Sequence, residues 1–342
     1  MSWIVLAFLG VATFLYAILG GADYGVGVLE LLSGKASREK TKAHAYRVIG
    51  PVWEANHVWL IIVAVILWVA FPVYFNAVMI YLHFPITLIL LGIIGRGVAF
   101  VFRHYDAVKD GSQQFYDRLF RWSSIWTPFF LGATFGALVS GEMITLDSQP
   151  DATFYAMYIA PWTSVFSLAT GAFFTGLCGF NAAVFLIGET SDDQQLRYRI
   201  KARSFNLIIV FSGLVVLVVS LLNEVTFILN MLTSPASLAA IFLATLLLYP
   251  LWQQLGKGHQ VRVRFMVVIQ MFLIMTAPVL ANFPELVTLD GEAVSILDGI
   301  APDAVIQTLG WALLVGSVLI LPGLYHLLKS FGMIKSLEKD AL

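Results

Sequence analysis

Charge is scarce in this chain. Only 12% of its 342 residues are Asp, Glu, Lys or Arg, against about 25% in an ordinary soluble domain. The formal net charge is −1, so no basic surface exists for nucleic acid. One cysteine, Cys178, is present. It cannot form an internal disulfide, and its apolar surroundings read as those of a small core residue. No Cys-x-x-Cys-His run, metal-ligand spacing, phosphate loop or nucleophile elbow occurs. The first apolar run, from Trp3, lacks a basic segment before it and reads as a membrane helix rather than a cleavable signal.

What the chain has is apolar length. Hydrophobic residues make up 59% of it, and the mean hydropathy is +0.85. Runs of about 20 apolar residues mark spanning helices. Nine are expected, over 3–29, 51–71, 77–102, 121–141, 161–188, 204–223, 236–254, 264–283 and 305–328. The second and third are joined by a very short connection around Pro72 to Asn76. Pro85, Pro128, Pro161, Pro250, Pro278 and Pro322 fall in or at these helices, where neighbouring helices compensate the kinks. The segments 142–160 and 284–304 are the longest non-helical stretches and could include short surface helices. Trp3, Trp122, Trp126, Trp162 and Trp311 sit near helix ends, as an interfacial belt would place them.

The basic residues orient the stack. Of the 20 Lys and Arg residues, all but Arg96 fall in alternate loops or the C-terminal tail. The loop 30–50 carries Lys35, Arg38, Lys40, Lys42 and Arg47, and 103–121 carries Arg103, Lys109, Arg118 and Arg121. The loops 189–203 and 255–264 and the tail hold the others. The opposite loops carry acids such as Glu142, Asp147, Glu285 and Asp290. By the positive-inside rule the N-terminus is outside and the C-terminus cytoplasmic. The expected fold is an all-α integral membrane protein with one polytopic domain. Helices one to four and five to eight start on the same side, as two four-helix bundles over 1–144 and 156–284 would require. The ninth helix and tail occupy 305–342, and no convincing sequence repeat accompanies this division.

Three ionisable groups lie where hydrocarbon makes them costly, about 2.5–3.5 kcal/mol each on insertion scales. Asp23 sits near the cytoplasmic end of the first helix, within Gly21-Ala22-Asp23-Tyr24-Gly25-Val26-Gly27. Gly21 and Gly25 make a small-xxx-small pair that lets another backbone approach. Glu54 opens the second helix in Pro51-Val52-Trp53-Glu54-Ala55-Asn56-His57-Val58-Trp59. A first-turn acid also serves the helix dipole, so capping competes with a functional role. His57 follows three residues later and can share a face with Glu54, while Trp53 is four residues from His57. With Asn56 they make a wall suited to proton relay. Arg96 lies near the cytoplasmic end of the third helix. It either snorkels to the interface or pairs with Asp23 or Glu54. Only His57 and His326 approach the matched depth of a bis-His haem, and that pairing is disfavoured.

These segments resemble subunit II of the cytochrome bd-type quinol oxidases. The Asp-containing, Gly-rich run Gly21–Gly27 is similar to the family's first-helix motif. Trp53-Glu54-Ala55-Asn56-His57-Val58-Trp59 resembles its Trp-acid-x-Asn-x-x-Trp motif, and Arg96-Gly97-Val98-Ala99-Phe100 with Arg103 its third-helix Arg motif. Some members carry Asp where Glu54 stands and Gln where His57 stands. The resemblance implies a multi-pass subunit in the bacterial plasma (inner) membrane. It implies a heterodimeric terminal oxidase that oxidises quinol and reduces oxygen to water. Haem b and haem d would sit in the larger partner, subunit I, with none ligated by this chain. This subunit would scaffold that partner and line a cytoplasmic proton path with Glu54, Asp23, His57 and Asn56, supported by Trp53, Arg96 and Arg103. A structural quinone here and a small single-helix accessory subunit are further expectations. Without the resemblance, a proton-coupled secondary transporter would compete. An Asp23–Glu54–Arg96 cluster that only stabilises assembly is the other alternative.

Overall fold

The computed structural model describes residues 1–49, 53–105, 111–187, 192–257 and 260–330. The expected Pro51 and Val52 of the second-helix motif lie outside these residues. The described chain is mostly helical. Eight helices are long and apolar enough to cross a membrane: Ser2–Leu31, Trp53–Ala70, His83–His104, Val165–Ile187, Gln195–Leu222, Pro235–Leu255, Arg262–Asn282 and Asp303–Gly323. The fourth expected span is also a single helix, Ser112–Ser140, of 29 residues. It is less apolar than the others because its hydrophobic residues are interspersed with Ser123, Ser124, Thr127, Pro128, Gly132, Thr134 and Gly136.

Several expected boundaries move. The connection around 72–76 is a ten-residue helix, Pro72–Tyr81, and the next helix starts at His83 rather than 77. Phe71 (φ −128°, ψ 61°) breaks the chain before Pro72, which takes the first helical position. The loops read as basic connections are partly helical: Lys35–Ile49 is a helix, and the helices Ser112–Ser140 and Asp192–Leu222 begin inside the expected loops. The seventh span divides into Pro235–Leu246 and Leu248–Lys257, with Pro250 in the first turn of the second piece. In the first helix, Tyr16–Gly20 forms a π turn between Ser2–Leu15 and Gly21–Leu31.

The non-helical segments also differ from one another. Residues 142–160 lead into the short helices Phe154–Tyr158 and Ala160–Thr163. The second segment folds as an antiparallel hairpin, strands Glu285–Leu289 and Glu292–Ser295, and not as a helix. Its two-residue turn places Asp290 at φ 54° and Gly291 at φ 79°, the positive pair that a type I′ turn needs. The Asp-Gly pair between Leu-Val-Thr-Leu and Glu-Ala-Val-Ser was the legible signal. Asp290 binds the other segment. Its carboxylate accepts from Thr145 N–H at 2.6 Å, Thr145 Oγ1 at 2.7 Å and Ser148 Oγ. Its own N–H donates to Met143 O at 2.7 Å.

The buried centre is where the first helix, Ser112–Ser140 and Val165–Ile187 meet. Of the eight candidate spans, Val165–Ile187 is the most buried, with 61% of its window enclosed. Gly25 makes this approach possible, since a Cβ there would stand 1.9 Å from the Cys178 carbonyl oxygen. Cys178 is buried in that contact as a small core residue. The last helix, Asp303–Ser330, packs on the first helix and Trp53–Ala70, so it joins the N-terminal half of the chain.

Two outcomes test this packing. Gly25→Ala drives its methyl into backbone that cannot retreat, and overpacking costs about 1–3 kcal/mol. It should lower the Tm of the purified protein well below that of Gly10→Ala, because a Cβ at Gly10 meets nothing within 4 Å. Equal Tm values for the two variants would refute the close approach. The Asp290 carboxyl is held below its ordinary range: slight burial opposes ionisation, but hydrogen bonds from Ser148 and Thr145 outweigh it. Its contribution is present above the ordinary Asp value of ~3.9 and fades as pH falls through the lower folded value. The Tm advantage of wild type over Asp290→Asn should therefore shrink in that acid window. A constant difference across it would remove the carboxylate from the account.

Candidate functional site

Asp23 and Glu30 are seven residues apart on the first helix, and Arg96 and Arg103 are seven apart on the third. Seven residues is close to two turns, so each pair shares a helix face, about 10.5 Å apart along the axis. The two sets meet as rungs. Arg96 Nη2 donates to Asp23 Oδ1 at 2.6 Å and to the Asp23 carbonyl at 2.7 Å. Arg103 Nη2 donates to Glu30 Oε2 at 2.8 Å. Both rungs join residues 73 apart. A constant offset means that the two helices run parallel and in register.

The upper rung is enclosed. Asp23 is 0% exposed and Arg96 2%. Arg96 Nη1 donates to Ser124 Oγ on the Ser112–Ser140 helix. Its guanidinium lies 4.5 Å from the Phe120 ring centroid and 5.1 Å from that of Tyr24. Asp23 Oδ2 has no hydrogen-bond partner. His57 Nε2 stands 4.0 Å from it. That is within ion-pair reach but longer than a hydrogen bond. His57 is half-buried, and its Nδ1 is also without a partner.

The lower rung is a larger network. Glu30 Oε1 lies 3.4 Å from Arg121 Nη1. Asp117 Oδ1 lies 3.1 Å from Arg103 Nε and 2.7 Å from Lys42 Nζ. Phe120 stands between the rungs, with the Arg103 guanidinium 4.3 Å from its centroid and Arg96 close by at the distance given above.

The expected residues thus divide. The structure brings Asp23, Arg96 and His57 together, so Arg96 pairs with Asp23 instead of snorkelling or pairing with Glu54. Asn56 is buried. Trp53 packs on Phe100 at 4.9 Å between centroids. Glu54 is exposed and makes no ion pair or hydrogen bond among the described residues, so it does not join the Asp23–Arg96 cluster or share the inward face of His57. Arg103, read as a loop residue, is in the lower rung. His57 packs on Tyr24 and Tyr16, at 5.9 and 6.3 Å between ring centroids, and His326 is exposed. Sequence reasoning missed Glu30, Asp117, Arg121 and the network role of Lys42. The seven-residue echo between 23/30 and 96/103 was the available signal for Glu30.

The described histidines are engaged elsewhere and do not gather into a metal centre. His57 is boxed by Asp23, Tyr16 and Tyr24. His104 stacks on Tyr46 at 4.2 Å, with Nδ1 at Phe100 O. His83 Nδ1 is engaged with Ile80 O. Among the described residues no cluster of three or more His, Cys, Asp or Glu could hold a metal. An apolar recess of about 410 Å³ lies between Val165–Ile187 and Asp192–Leu222, lined by Ala169, Ala172, Leu207, Ile208, Phe211, Ser212 and Val215. Its one hydroxyl, Ser212, already donates to Ile208 O, which leaves no free side-chain donor for a quinone headgroup.

Removing one partner of a buried pair strands the other, at about 3–5 kcal/mol. Glu30→Ala leaves Arg103 and Arg121 facing each other. It should depress the Tm and yield far more than Glu54→Ala, whose side chain is exposed. Similar losses for both would show that the lower rung is solvated.

A profile described as cytochrome bd terminal oxidase subunit II matches residues 1–331. The chain is 31% identical over 188 residues to cytochrome bd ubiquinol oxidase subunit 2 of Bacillus subtilis, covering 54% of this chain and 52% of that protein. It is 25% identical over 204 residues to cytochrome bd-I ubiquinol oxidase subunit 2 of Escherichia coli K12, covering 57% and 50%. The aligned stretches span about half the length of these curated relatives. The fold matches a chain of the bd oxidase from Geobacillus thermodenitrificans with a TM-score of 0.76 and 19% identity, over 97% of this chain and 99% of that one. A profile match over nearly the whole chain, with a fold of the same outline, establishes that this multi-pass bacterial membrane protein belongs to the cytochrome bd terminal oxidase subunit II family.

Proposed function

We propose that this chain is subunit II of a terminal oxidase that oxidises quinol and reduces oxygen to water. In this reading it scaffolds a larger subunit that carries haem b and haem d. It also lines a proton path from the cytoplasm through Glu54, Asn56, Asp23 and His57. Nine helices cross the membrane with the N-terminus outside, eight of them as two four-helix bundles. The ninth lies at the flank of the first bundle. Family membership leaves the transporter alternative without support.

The observation that carries the path is the open side of Asp23. One carboxylate oxygen is held by Arg96, and the other, unpartnered, faces His57 at 4.0 Å. Arg96 keeps the Asp23 charge tolerable inside the membrane, while His57 is the residue type whose charge changes most readily near neutral pH. Glu54 lies three residues on the cytoplasmic side of His57, about 4.5 Å along the helix. Its exposure continues in a stripe with Val58, Ile61, Val65 and Trp68, at 40%, 60%, 41% and 65% exposed. We assign this face to the larger subunit, so that Glu54 opens the path at the subunit boundary. Protons taken from the cytoplasm carry charge across the membrane when quinol releases its own outside. Each charge moved is worth about 2.3 kcal/mol per 100 mV. The haems, when bound in the larger subunit, supply the electron transfer and oxygen chemistry. A structural quinone and a small accessory subunit are not required by this arrangement.

The test is made in the assembled oxidase. Glu54→Ala and Asp23→Asn should slow oxygen consumption and proton uptake while the haem absorbance stays intact. Normal turnover in Glu54→Ala would remove Glu54 from the path. Loss of haem in Asp23→Asn would favour an assembly role for the Asp23–Arg96 rung.

A further inference from the structure

The proton path as drawn stops at His57, yet polar atoms continue beyond it. Tyr16 and Tyr24 are buried, at 7% and 1% exposed, and their hydroxyls are hydrogen-bonded at 2.9 Å. They are eight residues apart on one helix, about 12 Å along its axis, so the two side chains must lean toward each other. Tyr24 leans toward the helix N-terminus, the ordinary direction for a helical side chain. Tyr16 leans the other way, over Gly20. A Cβ at Gly20 would stand 2.9 Å from its ring.

The backbone around Tyr16 is built for this. Tyr16–Gly20 is the π turn of the first helix, a form found in well under 1% of residues and often placed at functional sites. The carbonyl of Ile18 within that turn accepts from Asn181 Nδ2 at 2.7 Å, and Asn181 is 0% exposed. A side chain from another helix thus supports the turn that aims the Tyr16 ring.

The chemistry follows from counting hydrogens. Two hydroxyls carry two O–H hydrogens, and their mutual bond uses one. The pair sits among Trp59, Leu60, Ile93, Leu131 and Phe174, which offer little to the second. His57 packs against both phenol rings, and its Nδ1 is buried without a partner. His57 therefore has Nε2 toward Asp23 and Nδ1 unpartnered, on a ring that packs against both tyrosines.

We propose that the Tyr16–Tyr24 hydroxyl pair is the step of the proton path after His57, leading from Asp23 toward the middle of the membrane. This rests on the proton-uptake reading above. His57 gains a proton at Nε2 from the Asp23 side and gives one from Nδ1 to a tyrosine oxygen. That hydroxyl passes its own hydrogen to the other hydroxyl, which releases one to a water on the side where oxygen is reduced. Both tyrosines end neutral. The pair resets when its hydroxyls turn back, and His57, left as its Nε2–H tautomer, returns to the Nδ1–H form before the next proton. They act as positioning residues, because they touch no substrate.

Tyr16→Phe and Tyr24→Phe remove one oxygen each and keep the ring. In the assembled oxidase, quinol-driven oxygen consumption would be followed in H₂O and D₂O, with haem absorbance as the measure of assembly. The expected result is intact haem, a rate lowered about tenfold or more and a larger solvent isotope effect, since a positioned proton-transfer group contributes about 10²–10⁴-fold at a reacting centre and less along a relay. Wild-type rate and isotope effect in both variants would overturn the proposal. Asp23→Asn alongside separates two failures. If it is slow while both tyrosine variants are normal, the tyrosine step alone is wrong. If it is normal too, the uptake reading falls with it. Should Tyr24→Phe fail to assemble, Tyr16→Phe decides.

Discussion

A charge inside a membrane must be neutralised by a partner at the same depth, and that requirement organises the first half of this chain. Asp23 with Arg96 and Glu30 with Arg103 satisfy it twice at one offset of 73 residues. Neither acid can change register by a turn without separating its partner from it. Two rungs therefore fix both the parallel direction and the relative height of the first and third helices. Phe120, against both guanidiniums, brings the Ser112–Ser140 helix into the same lock.

Close backbone approach carries that lock into the rest of the molecule. Gly25 admits the Cys178 carbonyl, so Val165–Ile187 lies directly against the first helix. Asn181 on the same helix reaches the π turn. The segment that holds Asp23 is thus held on one side by charge and on another by backbone contact and an amide. Such rigidity suits a proton path, where a shift of an ångström between donor and acceptor breaks the hydrogen bond.

The two rungs differ in what they leave open. In the lower one, both carboxylate oxygens of Glu30 face arginines and Asp117 is shared between Arg103 and Lys42. That arrangement, with no carboxylate oxygen of Glu30 left open, suits a structural role. In the upper one, a single arginine holds one oxygen of Asp23 and the other faces an imidazole. Only the upper rung has a free acceptor next to a group that exchanges protons readily, which is why function is placed there.

The sequence by itself determined the membrane class, the helical content and the placing of Asp23 and Arg96 within apolar helices. Hydropathy is local, and the cost of burying a charge is a property of the residue. Motif resemblance carried the family. The fourth helix was legible from its apolar run, although its Ser, Thr, Gly and Pro residues make that run weaker than the others. Only the tertiary structure decided partners. Glu54 and His57, three residues apart, differ in exposure because helix neighbours, not spacing, choose which face is covered. Glu30, Asp117 and Arg121 sat among residues read as a solvated basic rim. Their burial depends on three helices meeting there, a non-local fact. The π turn at Tyr16 is likewise supported by a distant group, Asn181; the hairpin turn has its local Asp-Gly signal, but its docking on Met143, Thr145 and Ser148 is non-local. Hydrogen bonds between residues more than a hundred positions apart leave no local pattern in a single sequence.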